Sequence, residues 1–204
     1  MVLLLYHNNV TGFHIEKKGI RVFGISESFA MSDLRSILAG VVMRRDFIID
    51  GLIFGNTTIR GNDSTEIIVS MFRRMKRNDI NCILLGGTII SILNIVDGQE
   101  LYDTTKVPVI AISSRETRGL RENNLRTFED GEIKCKLYNA LKASEQLTLR
   151  TGKAVNYRNW GIPSREVSVL LNDLTLQGAR PEPIKVASIA ARAHRRYDPC
   201  LEQG

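Results

Sequence analysis

Few of the residues that carry small-site chemistry are present. The chain has three cysteines in 204 residues, Cys82, Cys135 and Cys200. They are odd in number, widely spaced, and form no Cys-x-x-Cys pair. That argues against a disulfide framework and against a cysteine-based structural zinc site. The three histidines, His7, His14 and His194, stand at no metal-ligand spacing from one another or from a cysteine. No apolar run reaches the ~18 residues of a membrane span. The apolar stretch 2–5 is too short for a signal peptide, and no basic residue precedes it. These absences lead us to expect a cytoplasmic protein with no membrane attachment.

A hydrophobic fraction of 43% in 204 residues is enough for one domain with a real core. We expect a single domain over 1–204, with the weakly patterned stretch 1–18 as a loose arm or an edge strand. The net charge is +6, from 28 basic and 22 acidic residues. This excess suits a nucleic-acid partner and is equally common as plain solubility chemistry. Two clusters concentrate it. Arg73, Arg74, Lys76 and Arg77 form one; Arg192, Arg195 and Arg196, with His194 among them, form the other. On helices, the spacings 73/76/77 and 192/195/196 each put basic groups on one face, as a phosphate-tracking surface or a solvated face.

Apolar alternation predicts strands over 20–25, 36–43 and 47–59, close enough in sequence for an antiparallel meander. A helix follows, opened by Gly61-Asn62-Asp63-Ser64-Thr65-Glu66. Asp63 is its natural N-cap, and Glu66 has the spacing of a capping-box acid. Cys82-Ile83-Leu84-Leu85 is a short apolar run of the kind buried on both faces at the centre of an α/β sheet. It ends on Gly86-Gly87-Thr88, at the carboxyl edge where α/β proteins place their chemistry. A short helix is expected over 97–102 behind Asp97, then a strand over 107–113. A charged loop and surface helix are expected over 115–130. Helical spacing runs over 133–148, and an edge strand is expected over 154–157. Two more helices follow, one from Pro163 to about Gln177 and one opened by Pro181-Glu182-Pro183. The order gives a mixed sheet, antiparallel first and parallel later, flanked by helices.

Several short motifs in this order resemble the archaeal endonuclease dU family, formerly a domain of unknown function, related to endonuclease V and DNA repair. They are Val22-Phe23-Gly24-Ile25, Asp50-Gly51, the stretch from Gly61 to Glu66, and Asn94-Ile95-Val96-Asp97. Further on come Val107-Pro108-Val109-Ile110 with Ser114-Arg115, Gly178-Ala179-Arg180-Pro181-Glu182-Pro183, and Lys185-Val186-Ala187. The resemblance spans about 19–196 and implies a ribonuclease H-like fold. It also implies a magnesium-dependent endonuclease with acids on the first strand and at the end of the central strand, and a histidine in the final helix. The matching positions here are Ser26, Gly86 and Ser188. A hydroxyl lacks the charge that holds a divalent cation, and glycine offers no side chain.

The resemblance therefore implies a nucleic-acid-binding protein with weak or no nuclease activity, a possible pseudoenzyme. One alternative is an active endonuclease on deaminated-base DNA or RNA, with magnesium or manganese held by Glu27, Asp63, Glu66 and Asp97 if these converge. Another is a non-catalytic scaffold or protein-binding module. Strand alternation aims Glu27 away from where Ser26 aims, and Asp63, Glu66 and Asp97 each have a helix-start explanation. Arg115 and Arg180 are candidate phosphate contacts beside the two basic clusters, and Tyr157 and Trp160 are candidate base-stacking residues.

Overall fold

The computed structural model describes residues 19–113 and 130–197. The expected arm 1–18, the loop and helix over 115–129, and Arg115 lie outside the described residues. Seven strands form one sheet in the order β3-β2-β1-β4-β7-β9-β8. The meander is β1 (Arg21–Ser28), β2 (Arg35–Arg44) and β3 (Ile49–Thr58). β4 (Cys82–Leu85) is the middle strand and lies parallel to β1 and to β7 (Val109–Ser113). Beyond β7, β9 (Ala154–Trp160) and β8 (Glu145–Thr148) run antiparallel. Two-residue strands β5 (Ile89–Ile90) and β6 (Asn94–Ile95) make a separate hairpin.

The central run of apolar residues is buried on both faces, as its composition requires. Cys82 and Leu84 face one core, with Val167, Leu170 and Leu171 of α4 (Ser164–Asp173) and Ile184 of α5 (Glu182–Tyr197). Ile83 and Leu85 face the other, with Ile68 and Met71 of α1 (Ser64–Arg74) and Leu101 of α2 (Gly98–Thr105). Burial pushes the Cys82 thiol far up, so it is an inert core group. α3 (Gly131–Ala140) precedes β8. Among the described residues, no helix is long and apolar enough to cross a membrane.

Three expectations need correction. The helical spacing over 133–148 ends at Leu141, and Glu145–Thr148 is instead the edge strand β8. Its side chains are mostly exposed, so it carries no apolar alternation to read. Because β8 takes the edge, the strand read at 154–157 is interior and longer. The sheet is also not parallel to its end, since β9 and β8 return antiparallel.

α5 comes very close to β1. A Cβ on Gly24 would sit 2.5 Å from Pro183 Cβ and 2.7 Å from its backbone carbon. No rotamer change relieves a backbone clash, so any side chain here pries α5 away from the sheet. Gly24→Ala is expected to cost about 2 kcal/mol, the usual scale of overpacking, read as a lower urea midpoint with an unchanged slope. An unchanged midpoint would contradict this packing.

Candidate functional site

The carboxyl ends of β1 and β4 bring two of the resemblance-matched positions side by side. Ile25 pairs with Leu85 in the parallel ladder, and the Gly86 amide donates to the Ile25 carbonyl at 3.0 Å. Ser26 and Gly86 are therefore neighbours. A Cβ on Gly86 would lie 3.7 Å from Ser26 Oγ, and 3.4 Å from Ile184 Cγ2 and the Ile25 oxygen. Those are ordinary contacts, so space does not require glycine there. Ile184 belongs to α5, and Ser188 stands one helical turn further along the same face. Behind Ser26 and Gly86 a small cavity of about 20 Å³ is walled largely by Ile25, Leu38, Ile68, Leu85 and Val96. A second crevice of about 80 Å³ opens between the ends of β4 and β7, with Gly87, Thr88, Ser113, Asn156 and Arg158 in its wall.

The face of β1 opposite Ser26 carries Glu27. Phe23 and Ile25 lie in the α1-side core, whereas Gly24 abuts Pro183 of α5. Alternation puts Glu27 with the former. Its Oε2 accepts from the Ser91 amide at 2.7 Å, Ser91 Oγ at 2.6 Å and Ser36 Oγ at 3.1 Å. Burial raises its pKa, and these hydrogen bonds only partly counter that. Ser91 begins a turn of three left-handed residues, with φ of 46° at Ser91, 54° at Ile92 and 68° at Leu93. A β-branched residue there is strained. Glu27 holds the first residue of that turn. The Arg60 amide donates to the Ser91 carbonyl at 2.8 Å, and Lys134 Nζ donates to the Leu93 carbonyl at 3.3 Å.

Asp63 occupies the N-cap position of α1, but its side chain makes no capping hydrogen bond. This corrects the capping-box expectation. Asp63 Oδ1 accepts from Thr57 Oγ1 at 2.5 Å and Asn94 Nδ2 at 2.7 Å; Oδ2 accepts from Thr58 Oγ1 at 2.9 Å. Burial pushes this carboxyl up, but the hydrogen bonds from Thr57, Asn94 and Thr58 outweigh it and hold the pKa below the usual aspartate value. Asn94, fully buried, also donates to the Thr58 carbonyl and accepts from the Ser64 amide at 3.2 Å. Asn94 thus does the capping that Asp63 was expected to do. Asp97 is the N-cap of α2, accepting from the Gln99 and Glu100 amides at 2.9 and 3.0 Å. Glu66 is exposed in the first turn of α1. Among the described residues, no group of three His, Cys, Asp or Glu gathers where one metal ion could be held.

The basic clusters separate. α1 ends at Arg74 and Lys76 turns left-handed, so 73/76/77 do not share a helix face. Arg73 is exposed. Arg77 is locked between Asp79, at 2.8 Å, and Asp50, at 3.2 Å. Arg192, Arg195 and Arg196 do lie on one helix, α5, with Arg192 and Arg196 exposed. Arg195 Nε donates to Ser28 Oγ at 3.2 Å, and its Nη1 is 3.8 Å from Asp33 Oδ2. Arg180 is exposed in the turn before α5. Tyr157 and Trp160 are core residues: the Tyr157 hydroxyl donates to Glu145 at 2.6 Å, and Trp160 packs against Gly98. Neither presents a ring for stacking.

Lys134 went unread in the sequence. Its side chain is fully buried, and Nζ donates to the carbonyls of Arg60 and Gly61 at 2.8 Å and to Asn62 Oδ1 at 3.0 Å. The one sequence signal was Asp130 four residues earlier, an ion pair at 3.2 Å.

A sequence profile of the endonuclease dU family matches residues 18–195. A UPF0215 protein of Pyrobaculum calidifontis is 31% identical over 174 residues, covering 85% of this chain and 96% of that one. A crystal structure of a protein of unknown function from Archaeoglobus fulgidus superposes with a TM-score of 0.75 at 27% identity, covering 85% of this chain and 97% of that chain. Endonuclease V of Ciona intestinalis, solved with DNA containing an inosine, superposes with a TM-score of 0.57 at 11% identity, covering 88% and 87%. That likeness establishes an endonuclease V-like, ribonuclease H-type fold.

A carboxyl with a raised folded pKa supports the fold while protonated and opposes it once pH climbs through that value. Glu27→Gln keeps an acceptor for all three donors and cannot ionise. It is expected to match the unsubstituted chain in acid and to be the more stable of the two as pH rises well above 4.5. Urea midpoints measured across pH check this. A constant difference at every pH would contradict a carboxyl whose pKa burial raises.

Proposed function

The chain belongs to the endonuclease dU family, and on that premise we propose that it binds nucleic acid on an endonuclease V-like frame without cutting by the divalent-ion route. The observation that carries this reading is the pairing of Ser26 with Gly86 at the carboxyl edge, 3.7 Å from Oγ to the position a Cβ would take. The related enzymes are expected to hold magnesium there through carboxylates. One neutral hydroxyl and a glycine do not fit that ion, which needs a charged, near-octahedral oxygen set.

The substitute set of Glu27, Asp63, Glu66 and Asp97 is the competing reading. Its weakness is that three of the four already serve other partners: the Ser91 turn, the β3 end and the α2 amides. Using Glu27 or Asp63 as a metal ligand would leave buried donors without their acceptor, at about 1–3 kcal/mol each, and using Asp97 would uncap α2. The nucleic-acid half of the proposal draws on the net charge, on exposed Arg73, Arg180, Arg192 and Arg196 and half-buried Arg195, and on the inosine-containing DNA held by the Ciona neighbour. A pure scaffold would bind no strand, DNA or RNA.

The chain is expected to take up no manganese in titration calorimetry and to leave inosine- and deoxyuridine-containing strands uncut in magnesium or manganese. The double variant Ser26→Asp, Gly86→Asp is expected to gain manganese binding, because the added Cβ at 86 meets only ordinary contacts. Robust cutting by the unsubstituted chain, or no gain of manganese binding in the double variant, would contradict the reading.

A further inference from the structure

We propose that the edge where a cation would sit takes a nucleic-acid phosphate directly, through Ser26, Ser28, Ser188, Arg192 and Arg195, with no ion between. This rests on the nucleic-acid reading above and names the group that the site would grip. Two contacts of α5 fix the geometry. Near its start, Ile184 lies against Gly86; near its end, Arg195 Nε donates to Ser28 Oγ at 3.2 Å. Ser26 lies between those two points on β1, and Ser188 lies between them on α5. Ser26 and Ser28 share the α5 face of β1, opposite Glu27. Positions 184, 188, 192 and 195 follow one another along a single helix face. Three hydroxyls and two guanidiniums therefore border one strip.

The donors in that strip are available. Among the described residues, the Ser26 and Ser188 hydroxyls and the Arg192 guanidinium have no hydrogen bond or ion pair. Arg192 is exposed, and both serines are half-buried. Among the described residues, two carboxyl groups come near the strip. Asp33 is 3.8 Å from Arg195 and accepts from the Ala30 amide at 2.6 Å. Glu27 shares the small cavity with Ser26 and Gly86 but is turned to the other face of β1, where Ser91 and Ser36 hold it. On the α5 face, two guanidiniums stand against Asp33. Hydroxyls and guanidinium N–H groups are the donors that match phosphate oxygens. The loop between β1 and β2, tied to Arg195 through Asp33, holds Met31 and Leu34 out at 76% and 82% exposure. Apolar side chains so exposed beside a phosphate contact suit an unstacked base. A single strand therefore fits this edge better than a protein surface does.

Fluorescence anisotropy with a short labelled single strand and the full chain tests this, in magnesium and in EDTA, with inorganic phosphate as a separate competitor. Binding is expected to be equal in magnesium and EDTA. Arg192→Ala is expected to weaken it about tenfold, the worth of one charge-assisted hydrogen bond, and to lower the salt slope by about one. Ser26→Asp is expected to abolish EDTA-resistant binding by putting a carboxylate against the phosphate. A strand that competes far better than inorganic phosphate supports a phosphodiester over a free anion; the reverse overturns that assignment. Affinity that collapses in EDTA overturns the direct contact. A strand that binds the Arg192→Ala and Ser26→Asp variants unchanged overturns this strip while leaving the nucleic-acid reading intact. If no strand binds at all, both fall and the strip belongs to a protein partner.

Discussion

The rest of the structure depends on the carboxamide of Asn94. It is fully buried; its NH2 group reaches Thr57 Oγ1, the Thr58 carbonyl and Asp63, and its oxygen accepts from the Ser64 amide. That side chain joins the end of β3, the start of α1 and the β5–β6 hairpin. A buried carboxamide left without partners costs about 1–3 kcal/mol, so the arrangement holds together as a set or not at all. The same hairpin carries the left-handed turn at 91–93, held from the sheet by Glu27 and from α3 by Lys134. Two motifs that carry the family resemblance, 61–66 and 94–97, thus meet at one seam. Asp97 completes it, its amide donating to Thr65 Oγ1 at 3.0 Å.

β1 separates two kinds of polar residue that stand side by side in sequence. On the α1 face of β1, Glu27 is consumed in holding strained backbone. On the α5 face, Ser26 faces the edge where Gly86 leaves room. A frame built to hold a cation would place its charge on the second face. Here the carboxyl group is on the first face, and the second offers hydroxyls flanked by arginine. The electrostatic preference of the edge follows from that exchange: it suits an anion better than a cation.

Much of the frame was legible in the sequence because it follows from apolar periodicity. The meander, the doubly buried β4, β7 and the helices α1 and α4 show it, whereas α2 and α5 were marked by their start residues, Asp97 and Pro181-Glu182-Pro183. The alternation argument about Glu27 and Ser26 held, since β1 runs without a bulge through Ser28. The losses have two physical causes. β8 is four residues long with one apolar side chain, Leu147, so it is too short to show alternation. Asp63 has the spacing of a cap, but Asn94, thirty-one residues away, takes the helix amide and leaves Asp63 to β3. Lys134 reads as a surface residue on its helix, and only carbonyls brought in by the fold make its burial tolerable. Arg77 reads as free charge until Asp50 and Asp79 are placed beside it. Partners distant in sequence leave no local pattern.

On the proposed function, the edge between β1 and β4 is not a cation site. Crystals grown in excess manganese and measured at the manganese absorption edge are the decisive test. The expected result is no anomalous peak between Ser26 and Gly86, with Glu27 still bonded to Ser91. A well-occupied manganese there, with a complete oxygen shell drawn from this chain, would contradict it.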